Sequence, residues 1–437
     1  VQPTCSPTRA ELMTGKSAMR LGITRPISKN QKLGLGLEEK ILPQYLKELN
    51  YSTYLLGKWH LGSYIPDYFP TRRGFDYFYG YLTGGIGYWD HIHGGGHDWQ
   101  RNEVGLREDG YVTQLIKNDA LKIIDNHDFT NPIFLNVNFG APHIPNEAPE
   151  ESVLKFSYIE NETRRIHAAM IYEMDNAIGE IIAALEKENV LKNTIVMFAS
   201  DNGGLTPDVK LNPSFLSIPK KIGICKYDYR TGLIGLFLTM TLGSTKTITW
   251  ICENYSGGSS NKPLTEGKMS VSEGGIRVPA VIWWPGKFEY SKSENFITMM
   301  DVLPTILDLI NYKNEIVVDG ESRVSSLNDN NNSESSKYVV TNIINDKYAV
   351  IEMPYKLITS ADGDQLYNIL DDPSENLNIA SENQEIVLEL KNILSQWQFG
   401  ENRSLPISAV FKDPDLFGGE EDRIPWIEKA FENAESK

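Results

Sequence analysis

Two apolar runs, IFLNVNF (133–139) and TIVMFAS (194–200), bracket the segment RRIHAAMIYEMDNAIGEIIAALEKENV (164–190). This strand–helix–strand order constrains the fold more than any other feature of the 437-residue chain. Apolar residues recur in the segment at 170, 174, 177, 178, 181, 182 and 185, the period of a helix laid on a sheet. A third run, YSTYLL (51–56), stands upstream. The alternation predicts an α/β chain with an open sheet, whose ligands gather beyond the carboxyl ends of the strands. YSTYLL runs into GKWHLG, IFLNVNF into GAPHIP and TIVMFAS into DNGG, so a site is expected where these polar clusters meet.

Downstream, the helical DVLPTILDLI (301–310) gives way to SSLNDNNNSESS (325–336), a solvated linker. YVVTNII, YAVIEMP, YKLITSA and QLYNIL follow at short spacing, which predicts a small antiparallel sheet. NQEIVLELKNILSQW (383–397) is expected to cover one face of it. The chain thus divides into a main domain (1–324), the linker (325–336), a small α+β domain (337–400) and an acidic, peripheral tail (401–437). Residues 206–255 stand apart: five Lys and one Arg face three acids, in a chain of net charge −16. They also hold Cys225 and Cys252, two of the three cysteines, which could pair only with each other. A loop of that length inside a domain is unusual. It reads either as a basic lid for a polyanion or as a stretch foreign to the fold, such as a translated intron.

The net charge of −16 leaves no electrostatic footprint for nucleic acid. An anionic substrate must then be drawn by a few local cations. No apolar run reaches the roughly eighteen residues a membrane span needs. N-x-Ser/Thr sequons at Asn50, Asn161, Asn254, Asn331 and Asn402 point to an exported glycoprotein.

The remaining cysteine, Cys5, begins a C-x-P-x-R motif. Pro7 suits the first turn of a helix, which leaves Cys5 at the positive helix end with Arg9 one turn on. Alone, such a cysteine would be a small buried hydrophobe. PTCSPTRAELMTG (3–15), however, resembles the signature of the type I sulfatase family along its whole length. NYSTYLLGKWHLG (50–62) resembles the second signature of that family, departing from it at Asn50 and Leu56. PTRRGFDYFYGYL (70–82) and the DNGG…NKPL…GK…EGGIRVP series are similar to the arylsulfatase B branch, and LYNILDDPSENLNIA (366–380) to the family's C-terminal domain.

The resemblance implies an alkaline-phosphatase-like fold: a large mixed sheet flanked by helices, plus a small C-terminal antiparallel sheet with a helix. It implies that Cys5 is oxidised during export to formylglycine by the formylglycine-generating enzyme, and that the hydrated aldehyde attacks sulfur. Arg9 and Lys58 would hold that gem-diol, and His60 would take the proton that expels sulfate from the covalent intermediate. His143 and Lys268 would bind the sulfate and protonate the leaving oxygen. Asp201 and Asn202, with the modified Cys5, would ligate Ca²⁺ or Mg²⁺, hard ions that suit oxygen donors. DNGG taken alone reads as a turn. The family draws further acidic ligands from a strand ahead of the cysteine motif, and the chain reads as one lacking that N-terminal strand. The implied substrate is a sulfated sugar, N-acetylgalactosamine-4-sulfate of dermatan or chondroitin sulfate, in a lysosomal or secreted setting. The alternatives are a catalytically inactive or binding-only homologue, and a phosphatase or phosphodiesterase of the same superfold.

Overall fold

β1 (Ser52–Lys58) lies between two parallel neighbours, β2 (Tyr77–Tyr81) and β7 (Ile133–Asn138). Short antiparallel strands β5 (Gln100–Arg101) and β6 (Val104–Gly105) extend the β2 edge, giving the order β6-β5-β2-β1-β7. The hairpin of β3 (Ile92–His93) and β4 (Gly96–His97) stands outside this sheet. Gly57 marks where the three parallel strands crowd, opposite both Gly80 and Asn138. Its φ is 90°, and a Cβ there would stand 2.0 Å from the Asn138 carbonyl oxygen. Only glycine fits, and the next residue, Lys58, emerges at the carboxyl edge.

The computed structural model describes residues 1–29, 31–93, 96–207, 257–288, 290–292, 295–328, 337–342, 347–397, 400 and 426–435. Cys225, Cys252, nearly all of the 206–255 segment and most of the 325–336 linker lie outside the described residues.

The helix expected over 164–190 is α5 (Glu162–Lys187), following α1 (Cys5–Thr14), α2 (Leu42–Lys47), α3 (Val112–Asn126) and α4 (Glu150–Lys155). Asn161 caps α5, its side-chain oxygen accepting from the Arg164 amide. Met170, Ala177, Ile181 and Leu185 are buried, the last two against Ile116, Ala120 and Ile124 of α3 in the same core. The rest of the apolar stripe, Met174, Ile178 and Ile182, lines a cavity of about 2820 Å³. β7 lines this cavity too, as does β8 (Val196–Ala199). Among the described residues β8 does not join the main sheet; it pairs antiparallel with β9 (Ala280–Trp283).

After α6 (Glu273–Ile276), α7 (Val302–Leu309) and α8 (Val324–Asn328), the four expected strands form β10 (Lys337–Asn342), β11 (Lys347–Glu352), β12 (Tyr355–Ser360) and β13 (Gly363–Asn368). The alternation of strand side chains gives this sheet two buried faces. Val339, Val350, Leu357 and Leu366 pack under Val387, Leu390 and Ile393 of α9 (Gln384–Gln396), as expected. The opposite face, with Tyr338, Val340, Ile351 and Ile358, packs on Val271, Ile276 and Met300 of the main domain.

One expectation changes. The acidic composition predicts a peripheral tail, yet α10 (Trp426–Glu435) sinks Ile427 and Ala430 into the core that holds Ala10, Trp59 and Leu82. The spacing of three between those residues makes a short apolar stripe that the acidic composition hides. No helix among the described residues is long and apolar enough to cross a membrane.

Candidate active site

Every residue singled out from the sequence lines the same cavity: Cys5, Arg9, Lys58, His60, His143 and Lys268, with Asp201 and Asn202 beside them. Cys5 is the first residue of α1, with Thr4 as its N-cap, so the thiol sits at the positive helix end. Nearly all of α1 is buried, and Gly15 closes it with φ 66° while its amide donates to the Glu11 carbonyl. Lys58 ends β1, and His60 follows it in a left-handed turn with φ 60°. His143 leaves the loop after β7, Asp201 and Asn202 follow β8, and Lys268 arrives on the loop before α6.

The thiol is the common centre. Cys5 Sγ donates to Asn202 Oδ1 at 3.3 Å, and Lys268 Nζ donates to Sγ at 3.4 Å. Arg9 spans two elements: its Nε donates to Asp201 Oδ2 at 3.1 Å, and its Nη1 to the Lys58 carbonyl at 2.9 Å. Asn138 Nδ2 donates to that same carbonyl at 3.1 Å. These bonds lock the end of β1 against both the helix and the DNGG corner.

The histidine tautomers follow from their partners. His60 Nε2 faces the Ile27 carbonyl at 3.0 Å, so it carries the proton. Its Nδ1 is buried without a hydrogen-bond partner, and the ring interacts with the Cys5 thiol. His143 Nδ1 lies 2.7 Å from the Ile144 carbonyl, which leaves Nε2 unprotonated. Both rings press on Gly84 and Gly85: a Cβ would stand 2.7 Å from His60 Cε1 at the first and 2.9 Å from His143 Nδ1 at the second. Sequence reasoning passed over this glycine pair.

Electrostatics sorts the roles. Burial opposes ionisation of Cys5, but the Lys268 and Lys58 ammonium groups, with His143 and His60, hold its thiol well below the ordinary range. Burial lowers Lys58 as well, against the opposing pull of Cys5 and Asp201. Burial takes His60 down to about 4, leaving a neutral ring able to accept a proton. His143 is also lowered, by burial and then by the Lys268 charge. An incoming anion would offset that charge and let His143 hold a proton. A third histidine, His93, lines the cavity and is held down to about 3 by burial, Lys29, His60 and His143. Nothing in its HIHGGGH surroundings singled it out.

The resemblance to sulfatases implies a divalent metal, and the described residues do not complete a site for one. No group of three or more His, Cys, Asp or Glu among the described residues could hold an ion. The Asp201 carboxylate is engaged by Arg9, and the Asn202 oxygen by Cys5. Two such donors fall short of the roughly six to eight oxygens that Ca²⁺ takes.

The sequence profile described as Sulfatase matches residues 1–312, and one described as N-sulphoglucosamine sulphohydrolase, C-terminal, matches residues 267–399. Arylsulfatase J of Mus musculus is 38% identical over 213 residues, 47% of this chain and 36% of that protein. N-acetylgalactosamine-6-sulfatase of Rattus norvegicus is 28% identical over 345 residues, 73% of this chain and 55% of that protein. The chain therefore spans about a third to just over half the length of these relatives. Among solved structures, Ps i-CgsB superimposes with a TM-score of 0.77 at 24% identity, over 98% of this chain and 89% of that one. Its complex with k-i-k-neocarrahexaose gives 0.74 at 24% identity, over 95% and 87%. These likenesses carry the fold expected from the sequence. They do not carry the arylsulfatase B branch expected from residues 70–82 and the DNGG…EGGIRVP series, because the named relatives are a J-type arylsulfatase and a 6-sulfatase.

Proposed function

The chain belongs to the sulfatase family, and from that premise we propose that it is a sulfuric ester hydrolase acting on sulfated sugars. The observation that carries the reading is the convergence of Lys268 on Cys5 at 3.4 Å, with Lys58, His60 and His143 around the same thiol.

The chemistry needs a nucleophile, cations on the sulfuryl oxygens and a proton for the leaving alcohol. Oxidation of Cys5 to formylglycine, then hydration, places two hydroxyls where Sγ now stands. One hydroxyl oxygen attacks sulfur and gives up its proton to Nε2 of His143, the S–O bond to the sugar breaks, and the sugar oxygen takes a proton from the His143 and Lys268 side. Lys58 and Lys268 stabilise the charge on the sulfuryl group, and Arg9 fixes the end of β1 from which Lys58 projects. Nδ1 of His60 then takes the proton of the remaining hydroxyl. The aldehyde reforms and the carbon–oxygen bond to sulfate breaks. Water rehydrates the aldehyde for the next cycle.

Asp201 and Asn202 alone do not fit the divalent metal that the family implies, and the chemistry proposed is that of this chain's own side chains. The setting we propose is lysosomal or secreted, where the formylglycine-generating enzyme can act during export.

The sulfate position has two readings. The similarity of residues 70–82 to the arylsulfatase B branch supports the 4-position of N-acetylgalactosamine, and the relatives named for 6-sulfate support the 6-position. Side-by-side turnover of oligosaccharides sulfated at one position or the other separates them. A silent sulfate binder is the second reading of function, favoured by a metal corner that is incomplete among the described residues. Turnover of an aryl sulfate by protein with confirmed formylglycine excludes it.

A further inference from the structure

Lys268 reaches the nucleophile from a loop whose backbone is strained. Glu266 and Met269 have φ of 60° and 73°, left-handed conformations that residues other than glycine keep only where their surroundings impose them. Two backbone bonds fix the tip: the Lys268 amide donates to the Gly204 carbonyl at 3.0 Å, and the Met269 amide to the Pro3 carbonyl at 2.9 Å. The first ties the loop to the DNGG corner and the second to the segment leading into Cys5.

The base of the loop is held differently. Glu273 begins α6 and is buried. Its Oε1 meets Lys356 Nζ of β12 at 2.8 Å, and that ammonium lies 2.8 Å from Glu375 Oε1. The other oxygen of Glu375 accepts from the Glu273 amide at 2.8 Å, which closes a ring of ammonium, two carboxylates and a peptide N–H. The three side chains are 0%, 3% and 2% exposed for Lys356, Glu273 and Glu375. At the other end of the loop, Thr265 Oγ1 donates to the Ser374 carbonyl at 2.5 Å. Both ends of the loop are thus tied to residues 374–375, in the turn that follows the last strand of the small sheet. A buried ionic cluster is a poor source of stability compared with apolar packing of the same volume, because desolvating its charges is costly. Its use is geometric.

We propose that Lys356 and Glu375 are positioning residues for Lys268. The small C-terminal sheet holds the strained loop through them, so that the Lys268 ammonium meets the sulfuryl group over Cys5. The inference rests on Lys268 acting as a sulfate-binding cation.

Inorganic sulfate binding by calorimetry and KM for an aryl sulfate are measured on the full chain, Glu375→Gln, Lys268→Met and the double variant. Glu375→Gln is expected to weaken sulfate binding and raise KM about tenfold, the size of coupling that linked residues show. In the Lys268→Met background the same change should do nothing further. Lys356→Gln breaks the ring from the ammonium side and repeats the test if Glu375→Gln folds poorly. Sulfate binding unchanged in Glu375→Gln, or effects that simply multiply in the double variant, would overturn the positioning role while leaving the hydrolase reading intact. A wild-type chain that neither binds sulfate nor turns over the ester overturns both.

Discussion

Lys268 Nζ lies 3.4 Å from Cys5 Sγ although 263 residues separate the two in sequence. The contact joins the N-terminal turn of a buried helix to a loop that the C-terminal sheet supports. A cation so placed is where charge on a sulfuryl oxygen would develop.

Replacing Lys268 by Met is expected to lower kcat/KM for a small aryl sulfate about 10²–10³-fold, the cost of removing one preorganised donor to a developing anion. The protein should still fold, since the loop is held by its backbone amides and by Glu273 rather than by the ammonium. Steady-state kinetics beside a thermal melt checks this. Activity within a few-fold of wild type would remove Lys268 from the site.

His60→Ala should leave the first step and block the second. The neutral ring, with Nδ1 free of hydrogen-bond partners, is the base that releases sulfate. Intact mass spectrometry after mixing with substrate is expected to show one sulfuryl group added to the Cys5 peptide. Loss of all reaction without that adduct would assign His60 an earlier role.

Much of this was legible in sequence. IFLNVNF, TIVMFAS and the helix between them became β7, β8 and α5, because strict periodicity over a long window outweighs local noise. Cys5 opens a helix with Arg9 one turn on, and Lys58, His60, His143, Asp201 and Asn202 follow strands, which is why these motif residues converged, while Lys268 comes in on a separate loop. The Lys356–Glu273–Glu375 ring was not legible, since a lysine, a glutamate before two glycines and a turn glutamate show no periodicity linking them. Nor was the burial of α10, whose two anchors, Ile427 and Ala430, sit among acids. The pairing of β8 with β9 instead of β7 depends on long-range contacts that no local pattern encodes.

Glu11 gives stability a pH dependence. It is buried on α1, accepts from Tyr338 at 2.7 Å and from Gln2 at 2.8 Å, and burial lifts it from 4.5 to about 7. Between those values the folded state keeps a proton that the unfolded state has released. Stability therefore falls as pH rises through that window, by about 3 kcal/mol in all. Glu11→Gln keeps the hydrogen-bonding shape and has no proton to lose. The melting temperature of the variant relative to wild type should rise as pH increases from about 4.5 to about 7 and level off above that. A constant difference would show that Glu11 is ionised throughout.

Calcium should bind this chain weakly, with a dissociation constant of about 10⁻³ M or above, given the few oxygen donors at Asp201 and Asn202. Calorimetric titration decides it. Micromolar affinity would mean that the ion sits elsewhere.

The central claim is that Cys5 is the precursor of the nucleophile. Its most direct test is peptide mass spectrometry of residues around Cys5, paired with aryl sulfate turnover on the same preparation, from cells with and without the formylglycine-generating enzyme. The account predicts that formylglycine and turnover rise together across preparations, and that Cys5→Ala abolishes both. Turnover by protein in which Cys5 remains entirely an unmodified thiol would contradict it.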